Sequence, residues 1–377
     1  MKALVFDKSK TSWDGSKGFE MIEVPDLKIE KDDEVIVKVE FAGVCGTDKG
    51  IWYRQVFGQQ ILQSLQGEQK PYRIVGHEFV GQIVALGAAA AAKYSLAVGT
   101  SVSGDSHIVC NVCARCRAGQ KNISEKQKIL GVTYDGCFAQ YLKVPSHALW
   151  KNNPQKIRPE IAAIQDPFGN AMHAASKVNL QDKTAAIFGL GSIGLFTVLI
   201  ARALGVRTLI GIEPNRQARE MAEQLGVHHL INPPSGSKDF TASTEVLGQI
   251  SKLTKGSGVD VAFEMAGQNS SLNNALQATR RGGDVILFGI KNADFVIQNY
   301  NELIIRGLTL HAVIGRQIWQ TWQAATKLLE DQGNKIQEQI YKVILREGQD
   351  TILPISEYTK DIFEQKLAGY PKILFKF

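Results

Sequence analysis

The chain lacks a long apolar run. No stretch of roughly 18 apolar residues, the length a membrane span requires, occurs anywhere in it, so no membrane partner is expected. It lacks a basic tract as well. Its 43 Lys and Arg against 37 Asp and Glu leave a net charge of +6, spread along the sequence. A nucleic-acid footprint concentrates positive charge on one face, so nucleic acid is not an expected partner either. Cysteine is scarce, five in 377 residues, and three of the five are crowded into "CNVCARC" from position 110. Crowding of that kind suits metal binding in a reducing compartment better than a disulfide framework, and the cytoplasm is the expected location. The opening "MKALVFDKSK" has no apolar run behind its basic start and reads as a first strand, not as a targeting segment.

What remains is an ordinary globular composition, 44% hydrophobic and 21% charged. The length exceeds one typical domain. The first ~150 residues carry short Val- and Ile-rich runs broken by glycine, such as "EVIVKVEFAGV" (34–44) and "IVGHEFVGQIVALG" (74–87), a mainly β pattern. The alanine run 88–92 favours helix where a polar loop is expected after a strand. Helical character is expected over 157–178. From 184 onward six short apolar strands, at 184–189, 207–213, 228–232, 259–265, 283–289 and 308–314, alternate with helical stretches such as 192–204 and 215–225. That alternation predicts an α/β fold with a doubly wound parallel sheet of the Rossmann kind. After position 316 one helix (320–332) and short strands follow. The expected domains are 1–160, mainly β, then 161–315, nucleotide-binding, with 316–377 as a tail returning to the first.

"IFGLGSIG" sets Gly189, Gly191 and Gly194 in G-x-G-x-x-G spacing, with Ser192 and Ile193 between the last two, directly after a strand and at the start of a helix. The first glycine permits the tight turn, the second lets a pyrophosphate approach the backbone, and the third lets helix pack on strand. Glu213 ends the next strand, where an acid accepts from the adenine-ribose hydroxyls and repels a 2′-phosphate. The expected cofactor is NAD, with Arg216 and Arg219 close enough to soften the preference. Three further features offer metal donors: Cys45 in "GVCGTD", His77 and Glu78 in "GHE", and Asp166 in "DPFGN". Thiolate, imidazole and carboxylate are all zinc ligands.

These motifs resemble the zinc-containing medium-chain dehydrogenase/reductases over nearly the whole length. "GHEFVGQIVALG" matches their zinc-site signature, and "VCGTD", "VSGDSHIVCNVCARCRAG", "DGCFAQYLKVP", "DPFGNAMHAA" and "IGRQIWQTW" are similar to the threonine-oxidising members. The resemblance implies a GroES-like catalytic domain before the Rossmann domain, and a tetramer. It implies Cys45, His77, Glu78 and Asp166 as catalytic-zinc ligands, with Glu78 and Asp166 alternating. It also implies Thr47 as the hydroxyl beside the substrate oxygen, His107 lining the substrate pocket, and Arg316 as a partner for a substrate carboxylate. The implied reaction is NAD-dependent oxidation of a secondary alcohol, L-threonine to 2-amino-3-oxobutanoate, with oxidation of a polyol or sugar alcohol as the alternative. A nucleotide-binding protein without a metal and a zinc-ribbon nucleic-acid binder are the readings from other classes. The donor set argues against the first, and the want of a second ligand pair and of a basic face against the second.

The chain departs from the family at three places. Gly50 stands where a proton-relay histidine falls in threonine-oxidising members. The segment 51–75 is longer and more amphipathic than usual. In the lobe that carries the family's structural zinc, Cys110, Cys113 and Cys116 match the first three ligands and Ser124 occupies the fourth position, so a second zinc is expected to be held poorly.

Overall fold

The computed structural model describes residues 1–234, 240–290 and 294–377. These divide into two compact units, Met1–Pro167 with Gln317–Phe377, and Phe168–Arg316. In the first unit the strands Glu20–Glu23, Lys2–Asp7 and Tyr72–Ile74 form one antiparallel sheet. A seven-stranded sheet is ordered Leu149–Lys151, Ser101–Gly104, Glu78–Leu86, Glu34–Val44, Ile373–Lys376 and Ile352–Pro354, with Tyr141–Pro145 also paired to Glu34–Val44. The chain's last strand, Ile373–Lys376, therefore lies beside Glu34–Val44, Ile373 opposite Val44. Phe19, Trp52, Phe138, Phe363 and Phe375 belong to the main buried core of this unit, with ring centroids as close as 4.8 Å for Trp52 and Phe363. Each such side chain taken out of water contributes about 1.5–3 kcal/mol.

In the second unit six parallel strands run in the order His229–Ile231, Thr208–Ile212, Thr184–Phe188, Val259–Glu264, Thr279–Leu287 and Thr309–Ala312. The order reverses on either side of Thr184–Phe188, which is the switch point of a doubly wound sheet. The helix Ser192–Ala203 is buried along Gly194–Ala201, as a helix packed against a parallel sheet must be.

Three expectations are corrected in detail. The β run read over 74–87 is broken: Gly76 adopts φ +87, where a Cβ would meet the Phe138 ring at 2.2 Å, and the strand resumes at Glu78. His77 therefore sits in the bend. The helical stretch over 157–178 is two helices, Pro159–Ala162 and Gln165–Ala175, and in the second Pro167 occupies the first turn, where its missing N–H costs no helical bond. The alanine run is the helix Ala88–Tyr94, capped by Gly87, so propensity prevails over the expected loop. Among the described residues, no helix is long and apolar enough to cross a membrane.

Candidate active site

Strand register brings the metal donors together. Glu34–Val44 pairs antiparallel with Glu78–Leu86, with Gly43 opposite Glu78. Cys45 follows the end of the first strand, and His77 precedes the start of the second. The donor atoms of Cys45, His77 and Glu78 all lie within 4.8 Å of one another. A Cβ at position 43 would fall 2.1 Å from Glu78 Oε2, so only glycine leaves room for that carboxylate.

The backbone turns at Cys45 because Cys45 caps the helix Gly46–Trp52. Its N–H donates to Asp48 Oδ2 at 2.9 Å. Asp48 is fully buried, and its other oxygen stands 3.7 Å from His77 Nδ1. Burial works to lower the His77 imidazole, but the Asp48 carboxylate and the Cys45 thiol outweigh it and hold the ring up at about 10. Burial likewise raises the Asp48 carboxyl, against the pull of His77. At 3.7 Å the two groups are charge neighbours without a hydrogen bond, Asp48 Oδ1 and His77 Nδ1 both being buried without a partner, and a cation held by Cys45, His77 and Glu78 would compete with the imidazole proton. Glu78 is anchored from the far end of the chain. Lys372, itself fully buried, forms an ion pair with Glu78 Oε2 and donates to the Val44 carbonyl at 3.0 Å. The other oxygen, Glu78 Oε1, is buried without a hydrogen-bond partner. A mixed thiolate, imidazole and carboxylate set with an orphaned buried oxygen suits zinc.

Of the four expected ligands, Cys45, His77 and Glu78 are the ones whose donor atoms converge. Asp166 is buried in the first turn of Gln165–Ala175, and its Oδ2 accepts from the Ser106 N–H at 3.0 Å. It falls outside the group whose donor atoms converge. Thr47 is half-buried, two residues along from Cys45. His107 lies on a short strand with Nδ1 3.4 Å from Asp105 Oδ1. Arg316 is buried in the other unit, its Nη1 donating to Asn170 at 2.8 Å and its stem over Gly169. At Gly50 a Cβ would meet Val56 at 2.5 Å, so the space for a relay side chain is filled. The amphipathic segment after it contains the helix Gly58–Gly67, which buries Ile61 and Leu65.

The cysteine lobe is separate. Cys110, Cys113 and Cys116 bring their sulfurs within 4.8 Å of one another. Ser124 Oγ stands 3.4 Å from Cys110 Sγ and 3.8 Å from Cys113 Sγ. Hydrogen bonds from Ser124 and from the Val112 and Cys113 backbone pull the Cys110 thiol down to about 6. Cys137 does not join this group. It is buried, its thiol donates to the Glu78 carbonyl at 3.3 Å, and burial pushes it well above the usual thiol range.

In the second unit Gly189 has φ +97, and a Cβ at Gly194 would lie 2.1 Å from the Gly189 carbonyl oxygen. Gly191 caps the helix Ser192–Ala203, and a Cβ there would meet nothing within 4 Å, which leaves the helix N-terminus open to a phosphate. Glu213 lies just beyond the strand Thr208–Ile212, and its carboxylate accepts from the Leu190 and Asn215 N–H groups at 2.8 and 2.9 Å. Arg219 is drawn onto the Glu213 and Pro214 carbonyls, both at 2.7 Å, and Arg216 onto Glu220 at 2.7 Å. Neither guanidinium is poised for a 2′-phosphate in this arrangement.

Asp48 and Lys372 are the residues sequence reasoning missed. Asp48 had a legible signal, since an acid three residues after a helix-capping position is a capping-box pattern. Lys372 had none.

A parallel sheet with a glycine-rich phosphate turn, together with a unit that clusters Cys45, His77 and Glu78, describes a metal-dependent nucleotide-linked dehydrogenase. Residues 31–154 match the family model "Alcohol dehydrogenase GroES-like domain", and residues 192–331 match "Zinc-binding dehydrogenase". The chain belongs to the zinc-dependent alcohol dehydrogenase family. It is 35% identical to the L-threonine 3-dehydrogenase of Pyrococcus horikoshii over 83% of this chain and 84% of that one. It is 33% identical to that of Bacillus subtilis over 84% and 85%. Among solved structures it is similar to the alcohol dehydrogenase TADH of Thermus sp. ATN1, with a TM-score of 0.82 at 25% identity, covering 100% and 99% of the two chains.

Proposed function

We propose that this dehydrogenase oxidises L-threonine to 2-amino-3-oxobutanoate, with NAD as hydride acceptor and one catalytic zinc. The observation that carries the substrate is the similarity, at 32–35% identity across most of the chain, to several proteins named L-threonine 3-dehydrogenase. Zinc held by Cys45, His77 and Glu78, with Asp166 as the further ligand the resemblance implies, would act as a Lewis acid that lowers the pKa of the substrate hydroxyl.

The chain's own groups do the rest. Asp48 sets a negative charge 3.7 Å from His77 Nδ1, and Lys372 and Gly43 fix where the Glu78 carboxylate lies. The Thr47 hydroxyl takes the proton of the alcohol and passes it to solvent, because Val56 fills the space a relay side chain at position 50 would need. His107, beside Asp105, lines the substrate side. Arg316 stays outside the proposal, since its stem is buried over Gly169 and its guanidinium donates to Asn170. In the nucleotide site the open Gly191 and the helix N-terminus behind it bind the pyrophosphate, and Glu213 accepts from the adenosine ribose. The protein's contribution to the hydride step is placement of the nicotinamide.

The filled relay position at Gly50 favours a second reading, oxidation of a polyol. Steady-state rates with L-threonine, sorbitol and related polyols, each with NAD and NADP, separate the two. NADH formation from L-threonine supports the proposal, and turnover of polyols alone replaces it.

A further inference from the structure

The cysteine lobe does not fit a closed four-thiolate zinc site, and its geometry shows what it fits instead. In a tetrahedral zinc site with Zn–S near 2.3 Å, two sulfurs lie about 3.8 Å apart, and a sulfur and an oxygen ligand about 3.6 Å apart. Cys110 Sγ and Cys116 Sγ are 4.0 Å apart. Ser124 Oγ, at 3.4 and 3.8 Å from the sulfurs of Cys110 and Cys113, brackets the second value. These separations are close to those of tetrahedral coordination, and they put the serine hydroxyl at the place of a fourth donor beside three thiols. Other donors are placed elsewhere: Cys137 is bonded to the Glu78 carbonyl, and Glu125 is exposed and outside the converging group.

Three thiolates and a neutral hydroxyl give a divalent cation one negative charge less than four thiolates do, and a hydroxyl is readily displaced. Structural zinc sites are closed, whereas three protein ligands leave a position for exchange. In the lobe Cys113 and Cys116 also pack with Val109 and Ile318, with Cys110 and Trp319 against them.

We propose that Cys110, Cys113 and Cys116 form an exchangeable site for a thiophilic divalent cation, with Ser124 at the fourth position where an outside donor such as a small thiol can replace it. The site takes up and releases zinc under conditions in which the catalytic centre keeps its own.

Zinc release to a chromophoric chelator tests this on the full chain, comparing wild type, Ser124→Cys and Cys113→Ser. The expected result is two zinc classes in wild type, the weaker one lost first. Ser124→Cys should hold that class on the order of 100-fold tighter. Cys113→Ser should lack it and retain the other. Cadmium-loaded wild type should change its thiolate charge-transfer absorption when 2-mercaptoethanol is added, and Ser124→Cys should not. A second zinc held as tightly in wild type as in Ser124→Cys, or a Cys113→Ser stoichiometry equal to wild type at saturating zinc, overturns the proposal. If Ser124→Cys fails to fold, the cadmium titration of wild type against Cys113→Ser decides alone: equal cadmium uptake by the two, or no response of wild type to the thiol, overturns it.

Discussion

Replacing Lys372 with methionine removes the ammonium from a pair in which both side chains are fully buried, and keeps nearly the same length of apolar stem. The Glu78 carboxylate then loses its ion-pair partner, keeping the His77 ring nearby, and the Val44 carbonyl loses its donor. Breaking a buried pair from one side costs about 3–5 kcal/mol, since the remaining charge is uncompensated. For a unit of this size each kcal/mol moves the melting midpoint by roughly 2–4 °C, so the drop is about 6–20 °C. All five tryptophans, Trp13, Trp52, Trp150, Trp319 and Trp322, lie in the unit that contains the pair, so intrinsic fluorescence during urea or thermal unfolding reports that unit. The measurement is made on metal-free protein, because a cation at Glu78 would itself supply the missing charge. Adding Glu78→Gln to Lys372→Met should recover most of the loss, the signature of a coupled pair. A single variant within about 0.5 kcal/mol of wild type, or a double variant no more stable than the single, refutes the reasoning.

Cys45→Ser removes the thiolate from the converging donors. It should abolish turnover and lower bound zinc while leaving NAD binding, read by fluorescence titration, close to wild type; full turnover without zinc would contradict the site. Gly194→Ala places a Cβ 2.1 Å from the Gly189 oxygen, so it should cost about 1–3 kcal/mol and weaken NAD binding, measured by calorimetry. Glu213→Ala should weaken NAD about 10- to 100-fold and narrow the NAD-over-NADP preference, since a hydrogen bond to a charged group contributes about 1.5–3 kcal/mol. Glu264 is raised by burial, against hydrogen bonds from Ser271 and the Ala266 and Gly267 N–H groups. A group raised in the fold stabilises fully below its unfolded pKa, here 4.5, and that stability is lost as pH climbs through the folded value. Glu264→Gln should therefore gain on wild type in thermal midpoint as pH rises above 4.5, and a constant difference across pH would count against it.

The nucleotide unit was legible because its signals are local. The six strands expected from apolar runs match Thr184–Phe188, Thr208–Ile212, His229–Ile231, Val259–Glu264, Thr279–Leu287 and Thr309–Ala312, and the glycine spacing falls where one strand meets one helix. One boundary slipped: Thr279–Leu287 begins earlier than read, because the polar "TRRGG" hides a strand start that pairs Thr279 with Val259. The metal site was legible only through resemblance. Cys45 and His77 meet because Gly43 pairs with Glu78 across two strands, and no periodicity in the sequence encodes that register. Lys372 reaches Glu78 across 294 residues, a contact that only the fold of the tail creates. Ser124 was visible as a missing cysteine. That its hydroxyl stands beside the Cys110 and Cys113 sulfurs, with Glu125 outside the group, is set by the fold of the lobe and not by the local spacing.

The most direct test of the account is the reaction of L-threonine deuterated at carbon 3 with NAD and the zinc-loaded chain. The account predicts deuterated NADH together with 2-amino-3-oxobutanoate, and loss of both in Cys45→Ser. No reduced cofactor from L-threonine, under conditions in which a polyol is oxidised, would contradict it.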